Sequence, residues 1–371
     1  MHKTRIFIDF PISDSKEFQG LSFPQVLHDY LVTRDDVELV GEHDQFDVIL
    51  ILNGGSHFIS KAEKAKTLLA AQLNRLFKRK IDYDRFLKRN IPYEKRIDGL
   101  LAKNPGAKVA LRLDDRYKML CKVYGFDKTV KKFIKQADIV IFQSEYCKSL
   151  FTKGVHSIFG FEKPVNVKRS VVIHNGVDTE VFSPQGGRVD LDGKYKILHV
   201  AATGMVRKGL GKVLEYAHLL KDNPQIQFFL VGKQAEDPIY GADINKFGNV
   251  HQLEFTTDRY QLAQYYRSCD LLLFPSINDC APNVVLEAMS CGLPVLAADS
   301  GGTPEMIIKE DLKGGLLIND QNPIYPLKEI LENIMDFKTN ALRLIDQYHK
   351  KEVIGQQYFD ALQSIVYEKN N

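Results

Sequence analysis

Asp279 and Glu287 stand eight residues apart in the stretch Asp279-Cys280-Ala281-Pro282-Asn283-Val284-Val285-Leu286-Glu287. The first acid falls in a loop directly after the apolar run Leu271 to Phe274. The second falls in the opening turn of a helix that Pro282 starts, since proline suits a first helical position where its missing N–H would be unpaired anyway. Carboxylates accept hydrogen bonds from sugar hydroxyls. The free N–H groups at a helix start attract anions. Two acids and a row of amides in one crevice therefore suit a ligand that is part phosphate and part sugar. The crevice also lies past the C-terminal end of a buried strand, where open α/β sheets bind ligands.

The elements that must hold this crevice are legible as short apolar runs alternating with amphipathic stretches. In the first half strands are expected at Thr4–Phe10, Phe46–Leu52, Lys108–Leu113, Ala137–Gln143 and Ser170–His174, with a helix over Lys61–Lys78. In the second half they are expected at Lys196–Ala202, Gln225–Val231, Asn249–Phe255, Asp270–Pro275, Pro294–Ala298 and Gly315–Ile318. Helices are expected near Gly209–Leu220, Asp258–Arg267, Asn283–Ser290 and Pro304–Lys309. Repeated β-α-β order implies a parallel sheet covered on both faces, and two such runs imply two doubly wound domains. The turn-rich seam Phe182-Ser183-Pro184-Gln185-Gly186-Gly187-Arg188 divides the chain into domains 1–183 and 184–351. From Tyr325 onward the pattern is wholly helical, and a terminal helix over 352–371 is expected to pack back on the first domain.

Composition narrows the function classes. A 44% hydrophobic and 26% charged content over 371 residues is that of a soluble globular chain with more than one core. No apolar run approaches the roughly 18–20 residues of a membrane span. Five cysteines without a C-x-x-C pair point to reduced thiols in a cytosol and away from a zinc site. The net charge of +3 is unevenly spread, with a basic excess concentrated between Lys61 and Lys148 and an acidic second half. That asymmetry raises the prospect that the basic helix around Lys61–Arg89 rests on an anionic membrane; a solvated helical face is the plainer reading. No G-x-G-x-x-G follows a strand, which disfavours a redox dinucleotide enzyme, and nothing calls for nucleic acid.

Four segments together resemble the glycosyltransferase family 4 group. Asp279 and Glu287 correspond to the two acids of that family, separated by seven residues. His174-Asn175-Gly176-Val177-Asp178, with Phe182 and Pro184 after it, resembles the family's Asn-Gly-Val-Asp junction. Lys208-Gly209 resembles its Lys-Gly, and Gly301-Gly302-Thr303-Pro304-Glu305 its Gly-Gly-x-x-Glu turn. The resemblance covers roughly Ala137 to Ile318 and is weak before that. It implies an α/β GT-B fold, with two Rossmann-like domains facing across a cleft. It also implies a retaining transfer from a nucleotide-diphosphate sugar, UDP- or GDP-linked, to a glycan, lipid-linked or other hydroxyl acceptor.

Residue by residue, the resemblance gives Glu287 the ribose diol and Asp279 the hydroxyls of the transferred sugar. The family's usual residue at the latter position is Glu, one methylene longer. Lys208 is expected to face the diphosphate, where a fixed cation lowers the barrier to its departure. Relatives carry an Arg five residues before the Lys, where this chain has Thr203. Arg207 is the candidate substitute, although neighbours on a helix point about 100° apart. Gly204, Cys280, Ala281, Pro282, Asn283 and Val284 complete the expected donor side. In the first domain, Asn53, Gly54, Gly55, Arg112 and Asp115 are the expected acceptor side. Asp114, near where relatives place a His, is expected to orient an acceptor hydroxyl or take its proton. Asn175-Gly176 reads best as a structural hinge. No histidine pair or Asp-x-Asp stands in a metal-like setting, so a metal-independent, cytoplasmic transferase without cofactor is the expectation. A nucleotide-sugar epimerase or hydrolase on the same fold, or a non-catalytic sugar-nucleotide binder, is the alternative.

Overall fold

A computed structural model of the chain describes residues 3–9, 22–53, 91–114, 126–157, 160–202, 206–237, 239–244 and 246–368. The expected helix Lys61–Lys78, the basic stretch to Arg89, and Gly54, Gly55, Asp115, Thr203 and Gly204 lie outside these residues. The chain divides into two compact units. One comprises 1–11, 29–173 and 356–371, the other 12–28 and 174–355.

The first unit is built on β1 (Thr4–Asp9), β2 (Val37–Leu39), β3 (Val48–Asn53), β4 (Lys108–Leu113), β5 (Ile139–Phe142) and the hairpin β6 (Val155–Ser157) and β7 (Gly160–Glu162), followed by β8 (Ser170–Val172). Helix α1 (Ser22–Leu31) begins in the second unit's range and ends in this one, whose own helices are α2 (Ile91–Lys103), α3 (Phe126–Gln136) and α4 (Glu145–Thr152). Six strands pair in the order β2-β1-β3-β4-β5-β8, all parallel. Val48 to Ile51 are fully buried, as strands covered on both faces must be. Asn53 closes β3 opposite Leu113 of β4. Residues from Gln356 on belong to this unit: Gln363 donates to Thr4 Oγ1 at 2.7 Å, and Arg169 pairs with Glu368 at 2.7 Å.

The second unit runs through β9 (Tyr195–Ala201), α5 (Leu210–Leu219), β10 (Ile226–Gly232), α6 (Gly241–Ile244), β11 (Val250–Leu253), α7 (Arg259–Ser268), β12 (Leu271–Phe274), α8 (Asn283–Ser290), β13 (Val295–Ala297) and α9 (Thr303–Ile307). It continues with the hairpin β14 (Ile308–Lys309) and β15 (Leu312–Lys313), then β16 (Gly315–Leu317), α10 (Ile324–Glu332) and α11 (Ile334–Leu344). A single π turn, Ile345–His349, leads to α12 (Lys351–Val366), which passes into the first unit's range at Gln356. Its sheet is parallel in the order β11-β10-β9-β12-β13-β16. In chain order this is 3-2-1-4-5-6, so the winding reverses between β9 and β12.

Alternation along β9 sorts the unit's two cores. Leu198 and Val200 join a cluster with Tyr266, Val285 and Met289; Ile197 and Ala201 join one with Leu210, Val213 and Leu327. Each of the eleven strands read from the sequence is present, with ends within two residues of those expected. The expected helix Pro304–Lys309 is shorter: α9 stops at Ile307, and Ile308 and Lys309 pair back on Leu312 and Lys313. Among the described residues, no helix is long and apolar enough to cross a membrane.

Candidate active site

In an open parallel sheet the crevice opens where successive crossovers leave in opposite directions, past the C-terminal ends of the strands. In the second unit that point lies between β9 and β12. The connection after β9 carries Arg207 and Lys208; the connection after β12 carries Asp279. Lys208 donates from its ammonium to Oδ2 of Asp279, and Arg207 Nη1 stands 3.7 Å from the same oxygen. The fully buried Ser276 adds its hydroxyl 3.5 Å from that oxygen. Asp279 is therefore a carboxylate ringed by two cations, with 17% of its side chain exposed.

Arg207 does not obey the helical geometry assumed for it. Helix α5 begins only at Leu210, with Gly209 as its N-cap at φ 78°. Residues 207 and 208 lie in the turn before it, so both side chains reach one acid. A Cβ at Gly209 would collide with the Pro275 carbonyl, and one at Gly301 with the Asp279 carbonyl. Gly301 has φ 72°, and Gly302 donates its N–H to Asp279 O at 2.8 Å. These two glycines let three loops close round Asp279. Asn278, itself at φ 56°, donates its N–H to Ser300 Oγ at 3.0 Å and ties the second loop to the third.

The start of α8 differs from expectation in detail. Pro282 is the N-cap, with extended backbone at φ −72° and ψ 116°, and Glu287 lies in the second turn. Val285 is the first amide to bond back, to Pro282 O at 3.1 Å, so the amides of Asn283 and Val284 precede the bonded ladder. Asn175 reaches across from the junction segment. Its amide donates to Ala281 O at 3.1 Å and to Asn283 Oδ1 at 2.8 Å. The hinge residue thus clamps the loop that carries these amides. Cys280 and Ala281 are buried, and their side chains serve packing.

Glu287 is 9% exposed and accepts a hydrogen bond from the hydroxyl of Tyr266 at 3.1 Å. Burial pushes its carboxyl up to about 7, a rise that the Tyr266 hydrogen bond and the Arg259 cation both oppose. Arg259 in turn pairs with Asp178 at 3.2 Å and lies over the Phe182 ring. Below Lys208, His199 donates from Nδ1 to Leu273 O at 3.1 Å. Burial first, and then Lys208, hold its imidazole down at about 4, so it is neutral. Glu305 in the first turn of α9 meets His174 at 3.4 Å.

The acceptor-side candidates belong to the first unit. Arg112 is buried and pairs through Nε with Oδ1 of Asp114 at 2.8 Å. Gln143 accepts from Arg112 at 3.2 Å and donates to the Asp114 carbonyl. Arg112 therefore serves Asp114 and Gln143 and is sealed from a ligand, whereas Asp114 keeps 32% of its side chain exposed. Sequence reasoning missed Ser276, Tyr266 and the clamp by Asn175. Serine and tyrosine are common in such positions, and the clamp joins residues about a hundred positions apart. Among the described residues no group of three His, Cys, Asp or Glu side chains gathers to hold a metal ion.

Residues 187–348 match the family model described as Glycosyl transferases group 1. A sulfoquinovosyl transferase of Arabidopsis thaliana is 32% identical over 196 residues, which cover 49% of this chain and 34% of that protein. An N,N'-diacetylbacillosaminyl-diphospho-undecaprenol alpha-1,3-N-acetylgalactosaminyltransferase of Campylobacter jejuni is 31% identical over 213 residues, covering 54% and 53%. The chain spans between about a third and a little over half the length of the curated relatives it matches. Among solved structures, Anabaena HepE in complex with UDP and glucose superposes with TM-score 0.59 and 17% identity, covering 98% of this chain and 100% of that one. A glycosyltransferase from Rickettsia africae gives 0.62 at 13% identity, covering all of both chains. At such identities the likeness is one of fold, and with the two parallel six-stranded sheets it makes the architecture GT-B.

Proposed function

We propose that this protein is a retaining glycosyltransferase that moves a sugar from a UDP- or GDP-sugar to a hydroxyl of a glycan or lipid-linked acceptor. The observation that carries the proposal is the convergence of Lys208, Arg207 and Asp279 at the reversal point of the second sheet. Support comes from the match to the group 1 family model, from the UDP and glucose bound by HepE, and from the undecaprenol-linked acceptor in the name of the Campylobacter relative.

The chemistry follows from charge. When the glycosidic bond to the diphosphate breaks, negative charge grows on the departing phosphate. An ammonium held in place before the reaction stabilises that charge without reorganising. Lys208 has three donors, so one can stay on Asp279 while another serves a phosphate oxygen. Asp279 thus fixes the cation and offers its remaining lone pairs to hydroxyls of the transferred sugar. Glu287 takes the ribose diol. The leaving-group cation is supplied by side chains, so the scheme needs neither metal nor cofactor. In a retaining transfer the acceptor hydroxyl enters on the face the diphosphate leaves. Asp114, half-buried and paired with Arg112, is the proposed group for orienting that hydroxyl. The proposed setting is the cytoplasm, at the membrane face if the acceptor is lipid-linked; flotation with anionic liposomes tests that contact.

Thermal shift across UDP-, GDP- and ADP-sugars, followed by product analysis with the radiolabelled donor and a glycan panel, tests the reading. One donor class should raise the melting temperature in wild type, and Glu287→Ala should remove the shift. Release or rearrangement of the sugar with no acceptor would instead establish a hydrolase or epimerase.

A further inference from the structure

Glu287 is the acid proposed to receive the donor's ribose, yet a glutamate on an eight-residue helix can turn about three side-chain torsions and present either oxygen. The structure removes that freedom. Tyr266, fully buried on α7, donates its hydroxyl to Oε2 at 3.1 Å. Among the described residues no donor is found on Oε1, and Glu287 keeps 9% of its surface exposed. Tyr266 cannot itself move to suit a ligand, because its ring is packed in the core with Phe182, Val285 and Met289. One oxygen is held by the protein and the other is left open.

We propose that Tyr266 is a positioning residue of the donor site, its hydroxyl fixing Oε2 of Glu287 so that Oε1 is aimed at a vicinal diol on the ligand. This rests on the reading of the site as one for a nucleotide-diphosphate sugar. The hydroxyl has a second consequence. It donates, and a donor favours the ionised carboxylate, the form that accepts from two ligand hydroxyls. The charged and titratable groups facing this acid are few. Helix α7 brings Tyr266, Arg259 and, farther off beside Cys291, Arg267; Cys291 caps α8, and Arg188 lies beyond it. Arg259 is engaged by Asp178, which leaves Tyr266 as the neighbour that touches Glu287. Donor affinity should rise with pH as Glu287 ionises, and the midpoint of that rise should follow the strength of the Tyr266 hydrogen bond.

The test is calorimetric titration of the full chain with UDP and with GDP between pH 5.5 and 8.5. Wild type should bind one of the two with a midpoint near neutrality. Tyr266→Phe should bind it roughly tenfold more weakly at pH 7, with the midpoint moved to higher pH. Placing 3-fluorotyrosine at 266, a stronger donor of the same shape, should move the midpoint the opposite way; it keeps the test open if phenylalanine is not tolerated. Glu287→Gln should bind weakly with no midpoint. Wild-type affinity and midpoint in both Tyr266 variants, with Glu287→Gln impaired, would overturn the positioning role and leave the donor site standing. Binding of neither nucleotide by wild type would overturn the reading of the site, and this inference with it.

Discussion

Lys208 donates to Oδ2 of Asp279 from the far side of the sheet's reversal point, across 71 positions of sequence. The pair lies at the border of solvent, with 21% and 17% of the two side chains exposed. Such a pair contributes modestly to stability, so its value lies in holding a cation where a leaving group would develop charge.

Lys208→Ala should therefore lower kcat roughly a hundredfold, the scale of losing one preorganised stabilising donor, while the urea midpoint changes little. Asp279→Asn keeps the shape but releases the ammonium, and it should lower kcat and raise KM for the donor together. Steady-state kinetics with the donor found by thermal shift separates the two. An unchanged kcat in Lys208→Ala would remove the lysine from the chemistry.

The glycines that close the loops make a stability prediction with an internal control. Gly209 and Gly301 combine positive φ with a carbonyl where a Cβ would go. Gly292 has the same backbone, φ 77°, but its nearest neighbours are Leu342 side-chain atoms at 3.9 Å and beyond. Gly292→Ala should cost about 1–2 kcal/mol, the left-handed penalty alone. Gly301→Ala and Gly209→Ala should cost distinctly more and should also weaken donor binding. Urea denaturation ranks the three, and equal costs would mean that the loops shift aside without difficulty.

Much of the second unit was legible because parallel strands buried on both faces read as unbroken apolar runs: Leu271–Phe274 and, within β10, Phe228 to Val231 are clear examples. What escaped were features with no local signature. Strand β2 and the two hairpins have two or three residues per strand, each with a polar residue, so they form no apolar run. Arg207 was read as helical because its neighbours are, yet positive φ at Gly209 delays the helix and frees the side chain. Asn175 looked like a turn residue and is one; its grip on Ala281 and Asn283 depends on a tertiary contact that no window of sequence contains.

That grip is testable. Asn175 is buried, and removing its amide leaves the Ala281 carbonyl without this donor, at a cost of about 1–3 kcal/mol. Asn175→Ala should lower the urea midpoint accordingly and weaken donor binding by loosening the residues ahead of α8. Asn175→Asp keeps the size and one acceptor but lacks the donors, so it should not rescue either measure. Full donor affinity in a destabilised Asn175→Ala would confine the residue to a structural role.

Acid should unfold the protein earlier than its surface carboxylates alone require, and two histidines supply the reason. His199 and His349 are sealed in the second unit, their imidazoles pushed down to about 4 and about 3, in each case mainly by burial. A folded value below the unfolded value of 6.5 means that the unfolded chain takes up protons first. Their contribution is complete above about pH 6.5 and is lost as pH falls toward the folded values. Glu287 works in the opposite sense: raised to about 7 from 4.5, it is protonated first in the folded state, so acidification across that window restores stability. Two histidines against one glutamate leave a net loss between pH 7 and pH 4.5. His349→Asn keeps a donor toward the Asn175 carbonyl, which His349 now meets at 3.4 Å, without a titrating ring. It should flatten the decline by on the order of 2 kcal/mol, and Glu287→Gln should steepen it. Urea midpoints at the two pH values decide the matter, because a decline in His349→Asn as steep as in wild type would mean that His349 is already solvated in the native state.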